Sequence, residues 1–188
     1  MQNGVDTAYR PWIEYQHIWR TEASFMNFIR GGIRRGLWEK NPIKLEFLKE
    51  RTVKIKNTNP RSMKRFPTVN AGCCDMCDVT FKMTEMQVDH KLGGHSLKTF
   101  EDISSFIHGI VFVKKEDLQL LCKGCHDIKT YAERQGISLE EAAQLKEAIA
   151  VMNLPAKDQK AWLLKRDVKP ASTADLRREQ VIKLIKEG

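Results

Sequence analysis

Apolar residues recur at every fourth position, Phe25, Ile29, Ile33 and Leu37, marking one face of a helix from about Thr21 to Lys40 that Thr21 is placed to cap. Arg30, Arg34 and Trp38 fall on the neighbouring face. Gly31 and Gly32 sit mid-helix at about 1 kcal/mol each relative to Ala, so either something passes close to that surface or the helix breaks there. Asn41-Pro42 closes it, and Pro42 suits the first turn of a second helix, roughly Ile43 to Thr52. Ahead of both, Tyr9, Trp12, Tyr15 and Trp19 lie in an irregular stretch expected to pack over a neighbouring helix.

Lys54 to Arg65 is polar and basic with no apolar period, and it reads as a loop or linker before the central run. There the pattern predicts a cysteine knuckle, a strand ending near Val88, a loop carrying Gly93, Gly94 and His95, and a short helix from about Phe100 to Gly109. Thr99 and Asp102 give that helix a capping box, and Phe100, Ile103, Phe106 and Ile107 form its core stripe. A second strand is expected at Ile110 to Val113, and a further apolar run, Leu118 to Leu121, enters a second knuckle. Ser138 starts a helix that ends before Pro155, and Ser172 or Thr173 caps a last amphipathic one.

At 188 residues, 30% charged and 41% hydrophobic, the chain fits one compact domain with attached helical segments. No stretch approaches the ~18 apolar residues of a membrane span, and the N-terminus, with Asp6, Arg10 and Glu14, lacks the apolar core of a signal peptide. An intracellular protein without a membrane partner is expected. The net charge of +8 favours a polyanionic partner, and its distribution is uneven. Residues 1–70 hold 14 basic and 6 acidic side chains, residues 71–132 hold 7 and 9, and residues 133–188 hold 11 and 9.

All five cysteines lie between Cys73 and Cys125, which in a chain with no export signal argues for metal ligation over disulfides. Cys74-x2-Cys77 and Cys122-x2-Cys125 supply two thiolate pairs, each spaced to wrap one edge of a tetrahedral Zn²⁺, and four protein ligands make such a site structural. Cys73-x3-Cys77 is the alternative first pair; otherwise Cys73 is a small buried thiol with no role.

Val88-Asp89-His90, followed by Asp117-Leu118-Gln119-Leu120-Leu121-Cys122-x2-Cys125-His126-x2-Lys129-Thr130, resembles the HNH nucleases, specifically the zinc-stapled kind common in bacteriophage genomes. The resemblance covers residues 74–130 and extends weakly to the arginine-rich helix at 25–38, which is similar to the N-terminal helix of phage homing-type members. It implies an α+β protein with a ββα-metal (HNH) core stapled by a four-cysteine zinc site. Residues 1–66 would be a basic helical DNA-binding segment, 67–132 the nuclease core and 133–188 a C-terminal helical arm.

On that resemblance Asp89 and His126 hold one catalytic Mg²⁺ or Mn²⁺, for which a carboxylate and an imidazole are suitable donors. His90 is the general base, pointing opposite to Asp89 if the segment is extended, and an ordinary imidazole is largely neutral and competent at about pH 7–8. The expected reaction hydrolyses DNA phosphodiester bonds to a 5′-phosphate and a 3′-hydroxyl. Taken singly, Asp89-His90 is a common dipeptide, and His126 is an alternative zinc ligand in place of Cys125. His17 and His108 read as structural, and His95 as an exposed loop residue or a phosphate contact.

The middle letter of HNH is usually Asn, whose amide pins the loop carrying the base; here Asp117 stands in its place. A carboxylate only accepts, so that loop is held less fully or by another partner. Lys129 fits the family pattern as a phosphate contact, with a solvated helix lysine as the alternative. Arg30, Arg34 and Arg35, with Trp38, are expected along DNA phosphates, and Arg51, Lys54, Lys56, Arg61, Lys64 and Arg65 extend that track. The homing-type enzyme leads, located in host cytoplasm if phage-encoded. A nuclease assisting DNA packaging or degrading competing DNA follows, and a noncatalytic zinc protein that binds nucleic acid is the alternative of another class. Double-strand cutting by one site requires two protomers or two successive nicks, so a monomer and a homodimer both fit.

Overall fold

The computed structural model describes residues 9–94 and 96–187. The expectations for His95 and Asp6 fall outside them. The fold mixes helices with small antiparallel sheets, and the chain divides into two units, one up to Cys122 and one from Lys123. Among the described residues no helix is long and apolar enough to cross a membrane.

The first unit opens with two single-turn helices, α1 (Pro11–Glu14) and α2 (Gln16–Trp19), where the sequence suggested irregular chain. Their aromatics cover the next helix as expected: Trp12 and Trp19 lie 5.4 and 5.1 Å from Phe25, and Trp19 lies 4.9 Å from Phe28. That helix, α3 (Glu22–Ile33), is capped by Thr21, whose hydroxyl accepts from the Ser24 N–H at 3.2 Å. Its end is a correction to the four-residue stripe. Arg34–Trp38 form a π-helical turn, and the wider turn rotates Trp38 inward (4% exposed) while Leu37 stays 45% exposed. Met26, outside the stripe, is the buried residue of α3.

Asn41 then caps α4 (Pro42–Glu50), accepting from the N–H groups of Ile43 and Lys44. Its amide also donates 2.9 Å to the Ile110 carbonyl, tying this corner to the unit's core. The stretch expected as a linker begins with a strand instead. β1 (Val53–Lys56) pairs antiparallel with β2 (Thr68–Cys73), which pairs with β3 (Thr80–Lys82). Lysines at alternate positions hid the period, because only Ile55 on the other face is even half buried.

A second sheet follows. β4 (Met86–His90) extends past Val88, and α5 (Ile103–Val111) is preceded by a tight turn at Phe100–Asp102 in which Asp102 accepts from the Thr99 and Lys98 N–H groups. The strand expected at Ile110–Val113 is absent, because α5 runs on through Ile110 and Val111. β5 (Leu118–Cys122) returns antiparallel to β4, with Asp89 opposite Gln119 and His90 opposite Leu118. Leu118, Leu120 and Leu121 are wholly buried, and a Cβ on Gly72 would come within 2.6 Å of the end of the Leu120 side chain, so the glycine lets β2 lie close on β5 without displacing it.

The second unit is helical: α6 (Lys123–Gln135), α7 (Leu139–Met152), α8 (Ala156–Leu164) and α9 (Ala174–Glu187). Ser138 and Thr173 cap α7 and α9 as expected, and α8 has no counterpart in the sequence reading. Ala148, Val151, Leu163 and Val181 form its core. Buried Arg177 donates to Gln159 and to the Ala171 and Ser172 carbonyls, while Gln159 donates to the Met152 and Leu154 carbonyls, so the turns between helices are bound by side chains.

Candidate metal centre and catalytic residues

The two knuckles meet. The sulfurs of Cys74, Cys77, Cys122 and Cys125 all lie within 4.8 Å of one another, and a tetrahedron with Zn–S of about 2.3 Å has edges of about 3.8 Å, so slight contraction closes it. Four cysteines so placed are able to bind a metal such as zinc. Cys74 leads out of β2, where a tight turn closes with Asp78 N–H to Cys74 carbonyl (3.0 Å) and Cys74 N–H to Val79 carbonyl (3.0 Å). Asp78 takes φ +56°, a left-handed conformation Asp tolerates. Cys122 ends β5, and the chain passes directly into the first turn of α6, which carries Cys125.

Asp75, unremarked in the sequence, anchors the first knuckle to β5. Its N–H donates to the Leu120 carbonyl (2.9 Å), its carboxylate accepts from the Leu120 N–H (2.7 Å), and it pairs with Arg51. Burial disfavours the Cys74 thiolate, yet N–H groups of Cys122, Met76 and Cys77 and the Cys77 side chain outweigh it, taking the pKa from 9.0 down to about 7. The cluster contains Cys74, not Cys73, and it contains Cys125, so His126 does not replace it. Cys73 is exposed rather than the buried thiol expected.

His90 is held on two sides. Its Nε2 lies 2.8 Å from the Gly109 carbonyl oxygen, and its ring stacks on the Trp38 indole at 4.8 Å between centroids and 24° between planes. A carbonyl only accepts, so Nε2 carries the proton and, in the neutral ring, Nδ1 carries the lone pair. Lys44 Nζ stands 4.8 Å from the Trp38 ring centroid and pairs with Glu39 at 2.7 Å. Trp38 therefore belongs under the histidine and not, as expected, along a DNA-facing surface.

Gln119 was also missed. Its amide donates to the His90 carbonyl at 3.0 Å and to the Asp89 carboxylate at 3.4 Å, holding both residues from the paired strand. A lone glutamine within the apolar run of β5 was the available signal. Asp117 supports the same strand end through its main chain, its carbonyl accepting from the Lys91 N–H at 2.7 Å, while its carboxylate accepts from the Lys114 N–H at 3.2 Å.

His126 follows Cys125 on α6, and its buried Nδ1 has no hydrogen-bond partner among the described residues, with an Asp127 carboxylate oxygen 3.9 Å away. Lys129, on the same helix, is buried and paired with Glu133, which corrects the solvated alternative. Arg30 is half buried, donating to the Leu97 carbonyl and to Asn27 at 3.0 Å. Arg34 and Arg35 are exposed, the Arg35 guanidinium lying 3.2 Å from where a Cβ on Gly31 would sit. His17 and His108 are exposed, and His108 stacks on Phe112.

Compared with known proteins, the chain matches no family model, no curated protein and no solved structure.

Proposed function

We propose that this chain is a metal-dependent DNA endonuclease of the HNH type, hydrolysing phosphodiester bonds to a 5′-phosphate and a 3′-hydroxyl. The observation that carries the reading is the hold on His90. A histidine fixed by a carbonyl at Nε2 and by an indole against its face, next in sequence to a carboxylate, is a base with a defined tautomer. The order of strand β4, antiparallel strand β5 and helix α6, with His126 four residues beyond Cys122, agrees with a ββα-metal arrangement.

Asp89 and His126 are the residues that would hold a catalytic Mg²⁺ or Mn²⁺, and the orphaned buried Nδ1 of His126 fits a metal donor. When bound, the ion supplies charge stabilisation for phosphate oxygens and the leaving 3′ oxygen. His90 takes the proton of the attacking water at Nδ1, while its Nε2–H stays on the Gly109 carbonyl and spreads the charge it gains. Gln119 keeps the His90 carbonyl and the Asp89 carboxylate from turning. The four-cysteine cluster carries zinc and fixes the end of β2 against the end of β5. DNA is the substrate, and the phage homing-type enzyme is the form the resemblance favours.

The test is cleavage of supercoiled plasmid by zinc-loaded protein with and without added Mg²⁺ or Mn²⁺. The wild type should cut only with the added ion. His90→Ala should lose cleavage while holding DNA within a few-fold, and His126→Ala should lose it together with uptake of the second ion. DNA binding without cleavage by any ion would leave a noncatalytic zinc protein and reject the nuclease.

A further inference from the structure

From Val53 to Cys74 the chain carries five basic side chains, Lys54, Lys56, Arg61, Lys64 and Arg65, and no acidic one. Folding gathers them on one hairpin. Lys54 pairs across the strands with Asn70 and Lys56 with Thr68, and directly opposed residues share a face, so two ammonium groups stand beside two hydrogen-bonding side chains. All four residues are exposed, while on the other face Ile55 and Val69 are half buried and Ala71 wholly so.

The connection between the strands is ordered by Asn57, which is 3% exposed. Its amide donates to the Ser62 hydroxyl (3.1 Å) and the Phe66 carbonyl (2.7 Å), its oxygen accepts from the Asn59 N–H (3.0 Å), and its own N–H donates to the Pro67 carbonyl (2.9 Å). So fixed, the turn presents Arg61, Lys64 and Arg65 to solvent, with the Arg65 guanidinium 5.2 Å from the exposed Phe66 ring. An open groove of about 400 Å³ runs along the hairpin, with Lys54, Asn57, Ser62, Thr68 and Asn70 among its walls. Arg51, at the base, is committed to Asp75 and takes no part.

We infer that the β1–β2 hairpin is a docking arm for the backbone of duplex DNA. This rests on the nuclease reading and names a surface for its substrate outside the catalytic residues. No carboxylate within the hairpin neutralises the five cations, so the counter-charge comes from a partner. Alternate residues of a strand stand about 6.8 Å apart, the rise of two phosphates along one DNA strand at about 3.4 Å each. A two-stranded ribbon also fits the major groove, about 12 Å wide. The Asn70 amide and the Ser62 and Thr68 hydroxyls in the groove are neutral donors suited to phosphate oxygens.

The experiment is fluorescence anisotropy of a labelled duplex against salt concentration, without added divalent ions. Lys54→Gln with Lys56→Gln, and separately Arg61→Gln, Lys64→Gln and Arg65→Gln together, should weaken binding alike on all sequences. Each should reduce the salt slope by about 0.9 for every phosphate the protein ceases to neutralise. Lys54→Arg with Lys56→Arg should keep affinity and slope, at an unchanged melting temperature. Gln variants that keep the wild-type slope overturn the arm, as does an Arg pair that binds as weakly as the Gln pair, or a preference for single strands or RNA over the duplex. A wild type that binds with the full slope yet never cuts refutes the nuclease and leaves the arm standing. A nuclease indifferent to all of these substitutions does the reverse.

Discussion

The indole of Trp38 stacks on the imidazole of His90 with ring centroids 4.8 Å apart, although 52 residues separate them in the chain. The π-helical turn at Arg34–Trp38 makes this contact by turning the indole inward at the end of α3. A flat ring against a flat ring fixes the plane of the imidazole, and the Gly109 carbonyl then fixes its rotation within that plane.

If His90 is the base proposed above, Trp38→Leu should slow cleavage about tenfold or more, because a misaligned base loses orientation rather than basicity. Trp38→Phe, which preserves a stacking face, should stay within a few-fold of wild type. DNA affinity should change little in either. Single-turnover rates beside melting temperatures provide the check, and equal rates in the Leu and Phe proteins would show that Trp38 only fills space.

Asp117 stands where the resemblance expects Asn, and its carboxylate is already engaged with the Lys114 N–H while its carbonyl holds Lys91. Asn retains that acceptor, so Asp117→Asn should alter the cleavage rate by less than about threefold, a change worth well under 1 kcal/mol. Lys115, two residues before it, is bound to Glu50 and Glu46, which raise its pKa. Gln119→Leu should be the damaging change at this strand end, since it strips a donor from both Asp89 and His90. Faster cleavage by Asp117→Asn would return the pinning role to that position.

Zinc content should follow the Cys74 thiol. With its pKa lowered from 9.0 to about 7, this group binds metal without first losing a proton above that value, and competition from protons grows as pH falls through it. For the metal-free chain the sign is the same: a depressed pKa adds stability that is complete above the unfolded value and disappears as pH falls through about 7. Native mass spectrometry from pH 8 down to 5.5 should show the zinc-bound fraction falling. Cys122→Ser should lose it at every pH; a protein that kept its zinc and melting temperature would refute the ligand set.

Arg30 and the pair Arg34 and Arg35 should separate cleanly. Arg30→Ala removes donors to the Leu97 carbonyl and Asn27 and should lower stability by about 1–3 kcal/mol, because the carbonyl it leaves belongs to a buried residue. Arg34→Ala with Arg35→Ala should leave the melting temperature unchanged and reduce the salt slope of DNA binding. Urea titration and anisotropy distinguish the two, and an unchanged slope in the pair would assign them to ordinary solvated surface.

Much of this arrangement was legible where chemistry is local. The x2 spacing of two cysteine pairs, the Thr99–Asp102 box and the caps at Thr21, Ser138 and Thr173 each depend on neighbours within a few residues. What escaped depends on distant partners. The β1 strand alternates lysine with aliphatics on an edge of its sheet, so no apolar run announces it. The β-branched residues at Ile110, Val111 and Val113 suggest a strand, and the helix begun at Thr99 overrides that preference. Trp38 looked like part of a basic face because a four-residue period cannot anticipate a π turn, and the pairing of Gln119 with Asp89 required knowing the register.

The cysteines of the cluster are not equally reachable. Cys74, Cys122 and Cys125 are buried and Cys77 is exposed, while Asp75 keeps the turn between Cys74 and Cys77 in place from the protein side. A metal held by these four sulfurs would be open to an incoming chelator or donor thiol at the exposed Cys77 rather than at the three buried sulfurs. Were zinc bound there, Asp75 would keep the Cys74–Cys77 turn seated on β5 while the Cys77 corner is approached.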